Sequence, residues 1–252
     1  MNNLIQADFK KILNLPSYRY FLLATIGLSI LFGTFFVLSI NITQGKELTE
    51  LSGIEVIDIS LLGVDVAAIM LIIFTAMFIT KDLSPGAIHT NLAITPVRGK
   101  YFLSKVSFIS ILSVLISIIV ILLFLIINQF ILYMNDIGGL SLFDINLITK
   151  IIGSVVMVLF YSLLSAAGTF YIQSTSGGIA FSLGVMFLPA LIKMFPADVS
   201  NLLLPIFPEK SLHAFIDIHS ADGALVSAIL ILLLWVTISS VTALWKFKRV
   251  EY

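Results

Sequence analysis

Histidine, cysteine and clustered carboxylates are the side chains that most often bind metals, and this chain has few of them at useful spacing. It has no cysteine, and its three histidines are His89, His213 and His219. None belongs to the His-Glu-x-x-His pattern that brings two imidazoles to one face of a helix. Asp217 and His219 are two residues apart in a segment that we interpret as a solvated loop. We therefore expect no metal site.

Phosphate and acyl chemistry also lack their usual sequence signatures. The Gly-Lys pairs are Gly45-Lys46 and Gly99-Lys100, and neither is followed by Ser or Thr or preceded by a glycine at the spacing of a phosphate-binding loop. No Gly-x-Ser-x-Gly nucleophile elbow occurs. We expect a protein that is not an enzyme and carries no cofactor, and we expect no nucleic-acid partner.

The composition of the chain indicates that it consists mainly of membrane-spanning helices. Of the 252 residues, 59% are hydrophobic and 11% are charged, against about 25% charged in soluble domains. Apolar runs of about 20 residues predict transmembrane helices. They lie at 20–40, 59–80, 106–134, 151–192 and 224–245. The fourth run is long enough for two spans, divided at the polar turn 173–178. The predicted fold is an all-α, six-span, single membrane domain over 1–252.

Ionisable residues are absent from the middle of these spans, since Asp65 and Lys193 lie toward span ends. A proton- or sodium-driven carrier usually needs buried carboxylates at mid-span, so the sequence disfavours one.

Lysines and arginines collect on one side of the predicted bilayer, and this bias sets orientation. Assuming an inner N-terminus, the inner side carries Lys10, Lys11, Arg19, Lys81, Arg98, Lys100, Lys105, Lys246, Lys248 and Arg249. The outer side carries Lys46, Lys150, Lys193 and Lys210. The outer segments are also acidic, with Glu47, Glu50, Glu55, Asp58, Asp136, Asp144 and Asp222. We expect both termini in the cytoplasm and a multi-pass protein of a bacterial cytoplasmic membrane.

Two segments outside the spans have amphipathic character. Residues 1–16 present Leu4, Ile5, Phe9, Ile12 and Leu13 on one helical face, which predicts an interface helix that ends at Pro16. A disordered basic tail is the alternative. Residues 195–223 mix prolines with apolar stretches, which predicts short helices that re-enter the outer interface.

The inner loop 81–105 is the most informative segment. Pro85 and Gly86 break span two, and residues 86–94 are predicted to form a short helix that Thr95-Pro96 ends. Ala87, Ile88 and Leu92 give it an apolar side. Such a helix suits docking in a groove of a soluble partner, whereas an ordinary solvated loop is the alternative.

This loop resembles that of the permease subunits of ABC-2 type transporters. Their pattern has an acidic residue near the end of span two, a Gly-Thr pair, a Leu, a Thr-Pro-Val-Arg or Pro-x-Ser-Arg segment and a Lys that opens span three. The matching positions here are Asp82, Gly86, Leu92, the segment 95–98 and Lys105. Ala87 departs from the pattern, where Thr is usual. The small size and short outer loops are most similar to permeases for lantibiotic immunity or for phenol-soluble modulin export.

The resemblance implies a coupling helix in the inner loop. It would contact a separate ATP-binding cassette subunit that holds ATP and Mg²⁺, and a second permease copy would pack alongside, a homodimer or a heterodimer. The expected coupling residues are Asp82, Gly86, Ala87, Ile88, His89, Thr90, Leu92, Pro96 and Arg98.

Aromatic faces on spans one and two suggest an apolar cargo surface. These residues are Phe32, Phe35, Phe36, Phe74, Met77 and Phe78, and packing against lipid is the better explanation of each one taken alone. With the acidic outer segments, they favour export of an amphipathic peptide. The alternative function is a membrane sensor or assembly factor that docks a partner through 81–105 without transport.

Overall fold

The computed structural model describes residues 2–40, 42, 50–135, 144–216 and 224–250. All regular elements within those residues are helical, which confirms the predicted all-α class. They are α1 (Asn2–Asn14), α2 (Pro16–Leu38), α3 (Gly53–Leu83), α4 (Pro85–Ile94), α5 (Arg98–Met134), α6 (Ile145–Ile172), α7 (Thr175–Ile192), α8 (Ala197–Leu203), a 3₁₀ turn (Leu204–Ile206), α9 (Pro208–Ile216) and α10 (Ala224–Arg249).

Six helices of the described chain are long and apolar enough to cross a membrane: α2, α3, α5, α6, α7 and α10. They coincide with the six runs predicted from hydropathy, and a multi-pass membrane protein follows. The polar break inside 151–192 is a two-residue turn. Gln173 ends α6 in the left-handed conformation, at φ 59°, and the Ser174 side chain accepts a hydrogen bond from the amide of Gly177 to begin α7.

Helices α3 and α6 form the centre of the bundle. In the most apolar 18-residue stretch of each helix, 61% of the residues of α3 and 56% of those of α6 are buried. The corresponding share is 28% for α2 and α7 and 11% for α10. Helix α3 packs against α2, α5, α6 and α7. The peripheral helices therefore present most of the apolar surface, as expected for helices that face lipid.

Two glycines let α2 and α3 approach each other closely. A Cβ at Gly63 would lie 2.4 Å from the carbonyl oxygen of Ser29, and one at Gly33 would lie 2.6 Å from that of Ser60. The Phe124 ring of α5 fills the same notch. Nearby, the buried Asn128 amide donates a 2.6 Å hydrogen bond to the Ser60 hydroxyl. Small residues that admit close contact, together with one interhelical hydrogen bond, are typical of membrane helix packing.

The two ends of the bundle differ. At one end, which we call the α4 end, α1 contacts the beginning of α5, and Arg98 contacts the end of α10. The other end, the α9 end, carries α8, the 3₁₀ turn and α9. The predicted short helices of 195–223 are thus present as far as Ile216, and 217–223 lie outside the described residues.

Helix α1 follows the predicted segment 1–16 closely, and Pro16 is already the first residue of α2. The largest group of buried apolar residues, which we call the main core, includes Leu71, Phe78 and Phe108. Ile5 and Phe9 pack on the main core, and Ile12 is buried in it. Leu13, which was assigned to the same apolar face, is instead 63% exposed, because the packed face of α1 rotates toward Asp8.

Candidate functional site

Helix α4 forms because one serine ends α3 and begins α4. Ser84 has extended dihedral angles, φ −60° and ψ 146°, and its carbonyl oxygen accepts the amide hydrogens of Ala87 and Ile88 at 2.9 Å. Pro85 occupies the first helical turn, where its missing N–H costs nothing. At the other end, Pro96 disfavours helical geometry at Thr95, so α4 ends at Ile94.

One face of α4 is fixed to the bundle. Ile88 is fully buried in the main core, and Leu92 is half-buried against it. The Asn91 amide group donates to the carbonyl oxygen of Asp82 at 3.3 Å and lies 3.5 Å from the Tyr101 hydroxyl. These contacts join α4 to the end of α3 and the beginning of α5, so α4 moves with both.

The opposite face of α4 is open. Gly86, His89 and Thr90 are exposed, and Ile94 is 74% exposed. A Cβ added at Gly86 would meet nothing within 4 Å. The open face is therefore small, partly apolar and free of steric contact with the rest of the described chain.

Next to α4, at the end of α3, lies a group of four charges, three of them buried, which we call the charge cluster: Asp8, Lys11, Asp82 and Lys105. The Lys105 ammonium lies 2.5 Å from Asp8 Oδ1 and 2.6 Å from Asp82 Oδ2. Lys11 forms an ion pair with the other Asp82 oxygen. Asp8, Asp82 and Lys105 are each only 5–6% exposed. The cluster connects α1, α3 and α5, and its two acids balance its two lysines.

The surroundings of the charge cluster explain its composition. Asp82 lies in the last turn of α3, where the helix dipole disfavours a carboxylate, so the two lysines are needed to hold it. Both ammonium groups also lie over the Phe78 ring, at 4.7 Å for Lys11 and 5.0 Å for Lys105. Burial raises the pKa of Asp8, and the charge of Lys105 opposes that shift.

Arg98 closes the end of the last helix. Its guanidinium donates to the carbonyl oxygens of Phe247 at 3.0 Å, Lys248 at 3.2 Å and Val250 at 2.5 Å. The final carbonyls of a helix have no partner within it, and a basic side chain can satisfy them. Arg98 therefore joins the beginning of α5 to the end of α10.

The predicted coupling residues fall into three groups in the structure, according to their exposure. Asp82 and Ile88 are buried inside this chain, so Ile88 has no surface to offer a partner in this conformation. Gly86, His89, Thr90 and Pro96 lie on the exposed side, and Ala87, Leu92 and Arg98 are half-buried. The apolar side read from Ala87, Ile88 and Leu92 thus faces the protein's own core, and the open face is its reverse.

The predicted cargo residues do not share one surface. Phe74 and Phe78 are 1% and 0% exposed and stack on each other at 5.8 Å, and Phe78 also stacks on Phe108 at 5.2 Å. Phe32, Phe35 and Met77 are between 41% and 58% exposed, and Phe36 is half-buried. Phe74 and Phe78 are therefore core residues.

Sequence reasoning missed Asp8, which joins α1 to the site. A usable signal was present, because Asp8 is three residues after Ile5 and four before Ile12, and so shares their packed face. A carboxylate on the buried face of an amphipathic helix needs a cation, and Lys105 supplies it.

Within the described ranges no set of three His, Asp or Glu side chains is close enough to hold a metal ion. His89 is exposed on α4, His213 lies at the α9 end, and Asp217 and His219 are outside those ranges.

Helix α4 thus has one face fixed to the core and one face open, and its Asn91 side chain bonds to the backbone of Asp82, whose carboxylate belongs to the charge cluster. Comparison with protein-family models finds no match. Comparison with curated proteins finds no similar sequence.

Proposed function

We propose that this chain is the membrane-spanning permease subunit of an ATP-binding cassette exporter. The observation that carries the proposal is α4, whose inner face is buried with Ile88 while its outer face is open at Gly86, His89, Thr90 and Ile94. Because Asn91 of α4 bonds to the Asp82 backbone, a displacement of α4 would act on the end of α3 and, through the ion pairs of Asp82, on α1 and α5. The resemblance of 82–105 to ABC-2 type permeases supports the same reading.

The proposal includes partners and an orientation. A separate cytoplasmic subunit binds ATP and Mg²⁺ and docks on the open face of α4. A second permease copy, identical or related, packs alongside in the bilayer of a bacterial cytoplasmic membrane. The α4 end faces the cytoplasm, as the excess of lysine and arginine there favours. The cargo is an amphipathic or antimicrobial-type peptide.

The test of docking uses Gly86, because the isolated chain tolerates a side chain there. Gly86→Trp should abolish co-purification with the ATPase and peptide export, while expression and thermal midpoint stay unchanged. Gly184→Trp is the matched control, since Gly184 also has nothing within 4 Å of an added Cβ but lies on α7. Wild-type association of Gly86→Trp would refute docking on α4.

Ile88→Asp does not make a clean test. It would bury a carboxylate in the protein's own core, so loss of function would report unfolding.

A sensor or assembly factor that docks a partner through the same helix is distinguished by transport itself. The reconstituted complex should accumulate an amphipathic helical peptide in inverted vesicles with ATP, and the peptide should raise ATP hydrolysis. A complex that forms normally but neither moves nor responds to any peptide would favour the sensor.

A further inference from the structure

A second site lies at the α9 end of the bundle, far from α4. An open cavity of about 510 Å³ is lined by side chains of α3, α6, α7 and α9. Cavities of roughly 300–1,000 Å³ are typical of sites for small organic groups. We call it the α9-end cavity.

The polar side chains of the cavity lie at different heights along the helices. Asp58 and Asp65 are on one face of α3, and their spacing of seven residues corresponds to about 10 Å along the helix axis. Asp58 is nearer the beginning of α3, and it pairs with Lys150 near the beginning of α6. Asp65 and the buried Tyr161 lie further along their helices. Asp65 and Tyr161 therefore line the part of the cavity nearer the middle of the spans.

All but one of the charged groups lining the cavity have an opposite charge close by. Lys150 forms an ion pair with Asp58. Glu209 accepts a 2.8 Å hydrogen bond from Lys193, and His213 Nε2 lies 3.9 Å from the same carboxylate oxygen. Asp65 has no hydrogen bond or ion pair with any described residue, and its one charged neighbour is His213. Asp65 is therefore the one carboxylate lining the cavity that has no ion pair among the described residues.

The walls around Asp65 are apolar and aromatic. Met157, Met186, Phe187 and Leu212 line the cavity with it. Aromatic faces and thioethers attract organic cations but bind small hydrated metal ions poorly. A carboxylate in a membrane-spanning helix is costly unless a cation accompanies it.

We propose that the α9-end cavity binds an ammonium group carried on an apolar body, with Asp65 as its counter-ion. The carboxylate supplies the charge, and the methionine, phenylalanine and leucine side chains contact the attached carbon chain. A lysine side chain of an amphipathic peptide has this chemistry. The identification of the bound ammonium group as a lysine of the cargo rests on the proposed export function, whereas ammonium binding itself does not.

The test measures binding to the full chain alone, in nanodiscs of phosphatidylcholine, with no ATPase present. The probes are n-hexylammonium and n-hexanol, which share a carbon chain and differ in charge, and empty nanodiscs give the lipid background. Hexylammonium should bind at least about tenfold more tightly than hexanol, because it alone forms a charge-assisted hydrogen bond with Asp65. Failure here leaves ATPase docking on α4 unaffected, so the two proposals fail separately.

Three variants isolate Asp65. Asp65→Asn should remove the preference for the ammonium, and its fold should be retained because an unpaired carboxylate is lost. Asp198→Asn removes a charge from exposed α8 at the same end, outside the cavity, and should leave the affinity within about twofold. Met157→Lys adds an ammonium to the wall and should abolish binding.

Equal affinity for the two probes would overturn the proposal. So would unchanged hexylammonium affinity in Asp65→Asn or Met157→Lys, or an equal loss in Asp198→Asn, which would indicate attraction by the general surface charge.

Discussion

Lys105 and Asp8 form a buried ion pair with 2.5 Å between the ammonium nitrogen and a carboxylate oxygen, although 97 residues separate them in the chain. The pair fixes the amphipathic α1 to the first turns of α5. It also leaves one oxygen of Asp8, Oδ2, buried without a hydrogen-bond partner among the described residues. The neutrality of the charge cluster therefore depends on Lys105.

Replacing Lys105 by methionine should destabilise the protein strongly. It leaves Asp8 and Asp82 buried with Lys11 alone, and breaking a buried pair costs about 3–5 kcal/mol. Unfolding in mixed detergent micelles measures the loss. Lys100→Met removes a neighbouring exposed lysine and should stay within about 0.5 kcal/mol of the wild type.

Adding Asp8→Asn to Lys105→Met should recover part of the lost stability, because one unpaired carboxylate is removed. If Lys105→Met is as mild as Lys100→Met, the buried cluster does not exist in the membrane.

The stability that depends on Asp8 should change with pH in a defined direction. Its pKa is raised above the usual 3.8 by burial, so the folded state holds the proton more tightly than the unfolded state. The contribution of Asp8 to stability is then greatest below pH 3.8 and is lost as the pH rises through the raised pKa. As the pH rises over that interval, the unfolding free energy of the wild type should fall relative to that of Asp8→Asn. Parallel pH profiles for the two proteins would contradict the raised pKa.

Gly63→Ala should weaken the fold although alanine is the better helix former. The added methyl group would meet the Ser29 carbonyl oxygen at 2.4 Å and force α2 and α3 apart, and overpacking of this kind costs about 1–3 kcal/mol. Gly27→Ala is the control, because its Cβ meets nothing within 4 Å and should gain up to about 1 kcal/mol of helix propensity. Thermal midpoints that rise in both variants would refute the close approach.

Arg98→Gln should loosen the end of α10 without affecting the rest of the bundle. Amide hydrogens near residues 246–250 should exchange roughly tenfold faster, as expected for loss of hydrogen bonds from a charged donor. Lys100→Gln has no such contact with α10 among the described residues and should leave exchange unchanged. If ATPase association falls in Arg98→Gln while exchange is unaltered, Arg98 acts as an interface residue.

The proposed orientation is open to labelling, because the chain has no cysteine. Met194→Cys, at an 82% exposed position of the α9 end, should react with an impermeant maleimide on intact cells. Lys100→Cys, exposed near α4, should react only after the cells are opened. Labelling of Lys100→Cys on sealed cells would reverse the orientation.

Hydropathy predicted the six spans and the helical inner loop because lipid burial and Pro-Gly breaks are local signals. The orientation of faces was less accessible. Ile88 was expected to face a partner, yet it is buried, because a ten-residue helix with apolar residues at 87, 88 and 92 can turn that side either way. Phe74 and Phe78 were expected to face lipid or cargo, yet they are buried, because α3 is apolar on all sides and the sequence does not show which side faces the bundle.

Contacts between segments that are distant in the chain also could not be predicted from the sequence pattern alone. Asp82 and Lys105 were noticed as members of a motif, but their common partner Asp8 became evident only when α1 was packed against α5. Asp65 was noticed near a span end, while the cavity around it needs α6, α7 and α9 in position.

The two-residue turn at Gln173-Ser174 has a consequence for biosynthesis. Helix α7 is the shortest and least apolar candidate span of the described chain, with 18 residues and a mean hydropathy of 1.7 in its window. Because two residues connect them, we expect α6 and α7 to enter the bilayer together as one helical hairpin. The more apolar α6 then supplies insertion free energy that α7 lacks, and a ribosome stalled before α7 emerges would leave α6 without its neighbour.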